Sequence, residues 1–118
     1  MPTFEQGDVV RVPFPYTDRD TRQHRPALVV SNGALGDDVA FVWVVMITSA
    51  RNRRWAGDIP LVEEHLEVGL PVPSVIRTTK IATIEADRAD RLGALPRALR
   101  DQVARTLRSH LGLEAGGA

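Results

Sequence analysis

The sequence predicts a small α+β domain, mainly β: an antiparallel, barrel-like sheet of five or more short strands with a helix at its C-terminal end. Three observations lead there. Short runs rich in β-branched residues alternate with turn residues through the first two-thirds of the chain. The two longest runs, Arg25–Ser31 and Ala40–Ile47, are almost unbroken in apolar residues, as strands buried on both faces are. After Pro96 the composition turns to alanine, leucine and arginine, and the apolar spacing moves from two to about 3.6.

Gly7-Asp8 opens Val9–Phe14, a first strand ended by Pro13 and Pro15. Tyr16 to His24 is polar and reads as a loop. Arg25–Ser31 is the second strand. Pro26 has no N–H to give a ladder, which puts it at the strand's first residues, and Ser31-Asn32-Gly33 closes the run. A turn over Asn32–Asp38 leads to Ala40–Ile47, expected at the centre of the sheet and ending in Thr48-Ser49-Ala50. The arginine cluster after it is a loop, and Asp58–Val62 a short strand. Glu63–Pro73 is a connection, and Ser74–Arg77 and Lys80–Ile84 are the last strand signals. Asp87–Leu92 is read as one short helical turn. The main helix begins with Pro96 in its first turn and runs to about His110, with Gly112 as its stop. Leu99, Val103 and Leu107 form its apolar stripe, extended by Leu111, and Arg97, Asp101, Arg105 and Arg108 form a solvated face.

A chain of 118 residues is expected to hold one core and one domain, over residues 1–112, with a loose tail over 113–118. An apolar fraction of 43% with 25% charged residues is ordinary for a globular protein. No apolar run nears the ~18 residues that span a bilayer, and no signal-peptide layout opens the chain. The expectation is a cytoplasmic protein without membrane contact. There is no cysteine, hence no disulfide or thiolate metal site, and no His/Asp/Glu cluster has metal-ligand spacing. No metal or cofactor is expected.

Zero net charge argues against a general nucleic-acid binder. The distribution is less even. Arg19, Arg22 and Arg25 crowd one segment and Arg51, Arg53 and Arg54 another, while Asp58, Glu63, Glu64 and Glu67 make an acidic stretch. Lys80 is the one lysine in the chain. The guanidinium fork matches phosphate oxygens, although genomic base composition produces the same arginine bias.

The ordered set GDVVRVPF, RPALVVS, Thr48-Ser49, GLPVPSVIRTTKIATIE and RLGALPRALRDQVARTL resembles the MazF/PemK family, bacterial toxins of type II toxin–antitoxin pairs. The resemblance covers nearly the whole chain. It implies a compact SH3-like, PemK-like barrel with a C-terminal helix. It also implies a homodimeric, metal-independent endoribonuclease that cuts single-stranded RNA, mRNA above all. Its chemistry would be attack of the 2′-hydroxyl on the adjacent phosphorus, leaving a 2′,3′-cyclic phosphate and a 5′-hydroxyl. The implied partner is a cognate antitoxin whose disordered acidic segment folds over the basic groove.

On the same resemblance Arg25 matches the strand-opening catalytic arginine, and Thr48 the hydroxyl residue that helps hold the reacting phosphate. Chemistry agrees with both: a guanidinium neutralises developing phosphate charge, and a hydroxyl donates to a non-bridging oxygen. Arg25 is assigned an electrostatic part, because a group with a pKa above ~12 is a poor base. Arg77 matches an arginine that some members use in catalysis, two residues before an aspartate. Here that aspartate is Thr79. His24 has a suitable unperturbed pKa for proton transfer, but strand alternation sets it on the other face from Arg25. His65 and His110 read as structural or exposed.

Candidate RNA contacts are Tyr16, Arg19, Arg22 and His24 in and beside the first loop, Ser49, Arg51, Arg53, Arg54 and Trp55 in the second, and Thr79 with Lys80. Trp55 has two readings, a base-binding ring or an edge residue at an interface. Surplus apolar surface predicts a two-fold dimer whose groove is completed by the second protomer. Two rival functions stay open at this point: a gyrase-binding toxin on a related barrel, and a catalytically silent barrel acting as a binding module.

Overall fold

Ala27, Leu28 and Val29 show why one sheet carries two cores. Ala27 and Val29 pack into one apolar cluster, and Leu28 between them packs into another. Side chains alternate along a strand, so a run without a polar break is what a sheet covered on both faces requires. The computed structural model describes residues 3–13 and 24–113.

The elements are β1 (Asp8–Pro13), β2 (His24–Val29), β3 (Phe41–Ser49), β4 (Asp58–Leu61), β5 (Ser74–Glu85), a 3-10 turn (Ala86–Arg88), β6 (Asp90–Ala94) and α1 (Arg97–Leu111). The strands form one six-stranded sheet in the order β4-β5-β3-β2-β1-β6. Every pairing is antiparallel, and the sheet curls into a half-barrel. The mainly-β architecture with a C-terminal helix is therefore as expected, and β3 is central as expected.

One cluster gathers Val10, Val12, Ala27, Val29, Val44 and Met46 with Phe4 and the 3-10 turn. The other gathers Val9, Leu28, Val45, Ile47 and Ile76 with Val103 of the helix. Each fully buried Val or Leu side chain contributes ~1.5–3 kcal/mol relative to exposure. Leu99 and Leu107 pack partly buried beside Val103, so the stripe reads as expected over these three residues. Leu111 departs from it and is 71% exposed, because the helix ends there. Gly112 takes φ 73°, the left-handed conformation that suits glycine, and Leu113 N–H closes the end by donating to Arg108 O at 2.7 Å.

Three local expectations change. Pro26 is the third residue of its strand, which begins at His24. β3 pairs with β2 only from Ala27 onward, so the proline sits where β2 has β1 as its one paired neighbour. Ser74–Arg77 and Lys80–Ile84 are one continuous strand. Met46 opposes Arg77 while Val45 opposes Ile81, so Thr78, Thr79 and Lys80 bulge out of the ladder.

The expected helical turn over Asp87–Leu92 is instead a 3-10 turn followed by β6. β6 is an edge strand with no buried residue, so no alternation betrays it. Gly93 lets it approach the loop between β4 and β5: a Cβ there would stand 2.5 Å from Val68 O.

Candidate active site

The register of the central strands brings the catalytic candidates to one face. Ala27 opposes Met46, Leu28 opposes Val45 and Val29 opposes Val44. The two strands do not pair beyond Ala27 and Met46, and alternation along each strand puts Arg25 on the face of Ala27 and Thr48 on the face of Met46. Ala27 and Met46 are cross-strand partners and point to the same side, so Arg25 and Thr48 share one face. Met46 in turn opposes Arg77, and Arg77 opposes Asp58. Arg25, Thr48 and Arg77 thus lie on one face, across β2, β3 and β5.

Arg25 is exposed at the open end of β2, and Thr48 is half-buried near the end of β3. Asn52 Nδ2 donates to Thr48 Oγ1 at 2.5 Å. An oxygen that accepts from Asn52 still has its own proton to give, so Thr48 can donate outward. Ser49 alternates to the other side and shapes the loop. Its Oγ accepts from Arg51 N–H at 3.2 Å, and its carbonyl accepts from Asn52 N–H at 3.0 Å.

Arg77 is buried. Its Nε donates to Asp58 Oδ1 at 3.2 Å and a terminal nitrogen to Asp58 Oδ2 at 3.0 Å. The same nitrogen donates to Arg53 O at 2.7 Å. Asp58 Oδ2 also accepts from Trp55 N–H at 2.9 Å. Burial presses the Asp58 pKa upward. The Arg77 hydrogen bond, the Trp55 N–H and the charges of Arg77 and Arg54 outweigh burial and hold the carboxyl below the usual carboxylate range. Both Asp58 oxygens and the Nε and one terminal nitrogen of Arg77 are hydrogen-bonded, the kind of partnering a buried ion pair needs.

The Arg77 guanidinium carbon lies 4.2 Å from the centroid of the Trp55 ring, and Lys80 Nζ lies 5.4 Å from it. Trp55 remains 41% exposed. Arg51, Arg53 and Arg54 are exposed on the same loop, and Thr79 is exposed on the bulge. The structure therefore brings Trp55 and Lys80 together with Arg77. His24 is exposed at the first residue of β2, and alternation turns it to the face opposite Arg25. Tyr16, Arg19 and Arg22 lie outside the described residues.

In the sequence Asp58 stands out only as part of an acidic stretch. Its partner is 19 residues away, and no sequence spacing marks such a pair. His110 also has a definite place: its Nε2 is 3.0 Å from Thr78 Oγ1. Thr78 gives its one proton to Gly57 O at 2.7 Å, so it accepts from the histidine. Helix end, bulge and loop are tied together there. Among the described residues no group of three or more His, Cys, Asp or Glu is placed to hold a metal ion.

Exposed arginines on β2 and on the β3–β4 loop, with a hydroxyl that keeps a proton to donate, suit a phosphate-bearing ligand. Comparison with known proteins gives the family. Residues 5–111 match the PemK-like, MazF-like toxins of type II toxin–antitoxin systems. Among solved structures, an endoribonuclease in complex with its cognate antitoxin from a mycobacterial species is similar, with TM-score 0.72 and 23% identity, over 98% of this chain and 100% of that one. A chain of the MazE–MazF structure (Form-II) from Deinococcus radiodurans gives TM-score 0.70 and 22% identity, over 97% and 100%. The Mycobacterium tuberculosis toxin MazF-mt6 gives 0.65 and 19%, over 91% and 98%. These likenesses show a shared fold. A comparison with curated proteins gives no match. With the family matched from residue 5 to residue 111, the chain belongs to the PemK-like, MazF-like toxins of type II toxin–antitoxin systems.

Proposed function

We propose that this toxin is a metal-independent endoribonuclease that cleaves single-stranded RNA, mRNA included. The observation that carries the reading is that Arg25, near the start of β2, and Thr48, near the end of β3, share one face of the sheet. In the reaction the substrate's 2′-oxygen bonds to the adjacent phosphorus as its proton passes to solvent water, the P–O5′ bond breaks, and the departing 5′-oxygen takes a proton from solvent water. A 2′,3′-cyclic phosphate and a 5′-hydroxyl result. Charge builds on the non-bridging oxygens, where the Arg25 fork and the Thr48 hydroxyl are placed to meet it. Neither Arg25 nor Thr79 is a base at neutral pH, so rate enhancement rests on charge stabilisation more than on proton transfer. Arg77 acts from behind this surface: bound to Asp58 and Arg53 O, it sets the loop and Trp55 rather than touching the phosphate.

Two partners follow. Solved relatives are described with a cognate antitoxin, and an acidic antitoxin segment would find Arg51, Arg53 and Arg54 exposed. The second is another copy of the chain. Trp43, Ile81 and Leu111 are 49, 59 and 71% exposed and line one groove of about 610 Å³ between sheet and helix. Apolar surface of that kind suits a homodimer contact. Sedimentation of Ile81→Asp at micromolar concentration tests it, with a dimer expected for the parent and a 13.0 kDa monomer for the variant. A parent that sediments as a monomer refutes it.

Incubation with a long single-stranded RNA in EDTA, followed by mapping of fragment ends, tests the activity. The expected ends are 5′-hydroxyls. Cleavage that needs added Mg²⁺, or that leaves 5′-phosphates, overturns the mechanism. Tight protein binding with no cleavage would favour the non-hydrolytic alternatives.

A further inference from the structure

A large aromatic ring left 41% exposed on a loop needs a reason, and the packing around Trp55 supplies one. Its backbone is fixed by the bond to Asp58 Oδ2. Its ring rests on a guanidinium that is itself held by Asp58 and by Arg53 O. The ring is thus braced by a buried, hydrogen-bonded cation, Lys80 Nζ lies 5.4 Å from its centroid, and the exposed Arg53 and Arg54 precede it directly in the chain. A side chain that only filled space would not need so rigid a support. An exposed, pre-oriented π-surface on an arginine-bearing loop matches the recognition of unpaired nucleotides, whose bases stack while their phosphates meet the charges.

We propose that Trp55 is a base-stacking platform. It would take one unpaired base of the RNA beside the phosphate held by Arg25 and Thr48, with Asp58 and Arg77 as its positioning residues. The inference rests on RNA being the substrate. Because any base has a π-face, the platform supplies affinity and registers the strand on the Arg25–Thr48 pair without demanding one base. The pre-formed brace spares the ordering that a free loop would undergo on binding.

The test uses a 2′-O-methyl RNA, which cannot be cleaved, and the emission of the two tryptophans. Binding is followed by anisotropy of a dye on the oligonucleotide, and stacking by quenching of tryptophan emission. The expected result is saturable quenching in the wild type that disappears in Trp55→Phe, where Trp43 is the remaining reporter. An abasic oligonucleotide with the same phosphates should bind more weakly and quench little. Trp55→Ala should weaken RNA binding about 5- to 150-fold, and Trp55→Phe should restore most of it because the π-face is kept. In cleavage the loss in Trp55→Ala should fall on KM more than on kcat.

Binding by anisotropy with no Trp55-dependent quenching overturns the platform and leaves the RNA reading intact. No binding to any oligonucleotide overturns both. Unchanged RNA affinity in Trp55→Ala, with a dissociated dimer, would make the ring an interface residue and also overturn it.

Discussion

Arg77 and Lys80 stand three positions apart on β5, yet both cations reach the ring of Trp55. In a regular strand that spacing sends two side chains to opposite faces. The bulge over Thr78–Lys80 changes the phase of the strand between them, so that Lys80 returns to the side of Arg77. Thr78 faces the other way, gives its proton to Gly57 O and meets His110. One irregularity therefore brings two cations to Trp55 on one face and anchors the helix end on the other.

Removing the fork at position 25 should be costly and local. Arg25→Ala should lower RNA cleavage about 100-fold or more, the scale of a lost transition-state stabiliser. Thr48→Ala should lose less, since a neutral donor is weaker than a charged fork. Arg25 is exposed and lies beyond the apolar clusters, so its melting curve should stay put. An assay of RNA fragments beside a thermal melt reads both; full activity in Arg25→Ala would remove it from the site.

The Asp58–Arg77 pair should behave oppositely, with stability falling before chemistry is considered. Asp58→Ala leaves a buried guanidinium without its counter-charge, a loss of about 3–5 kcal/mol. The paired exchange Asp58→Leu with Arg77→Met should recover much of that stability, because apolar residues of similar volume fit such a site. RNA affinity should not recover with it, since the brace under Trp55 is gone. Urea unfolding and RNA binding on the three proteins check this, and equal recovery of both would deny the pair its positioning part.

Acid should act through the same carboxylate. The folded Asp58 pKa is depressed, so its contribution is complete above the unfolded value of about 3.9 and is lost as pH falls below that, through the folded value. Trp55 hangs on that carboxylate by its N–H, so its emission should change over the same acid range. Asp58→Asn should flatten this part of the stability profile. The check is urea unfolding from pH 7 down to 3, and a parallel pair of profiles would exclude Asp58 as the titrating group.

In the core, Leu28→Ala should cost about 2–5 kcal/mol, because Leu28 is 1% exposed under the helix cluster. Thermal or urea unfolding of that variant measures the loss. The same residue shows which features are legible in the amino-acid sequence. Buried strands announce themselves, since two covered faces demand an unbroken apolar run. Arg25 and Thr48 are marked by their places at strand ends and by family resemblance. β6 carries no such mark, because an edge strand with no buried side chain has no pattern to show. Asp58 is equally silent: its role comes from a register across two strands. The bulge shows in the sequence only as two strand signals with a gap, and its consequence for Lys80 depends on the ladder.

Salt should report how many loop arginines meet the RNA backbone. Arg51, Arg53 and Arg54 are exposed on the loop that carries Trp55, while Arg77 is buried and engaged by Asp58. For single strands each neutralised phosphate contributes about 0.7 to the slope of log K against log salt. Replacing all three exposed arginines by alanine should therefore lower the slope by about 2 if each meets a phosphate. The same variant should keep its quenching of Trp55 at low salt, because stacking does not depend on counterion release. Its melting temperature should change little, since the Arg53 contact to Arg77 is made by a backbone carbonyl that alanine retains. Anisotropy titrations of an uncleavable RNA between about 50 and 300 mM salt measure the slope, and a slope equal to the parent's would place the phosphates elsewhere on the molecule.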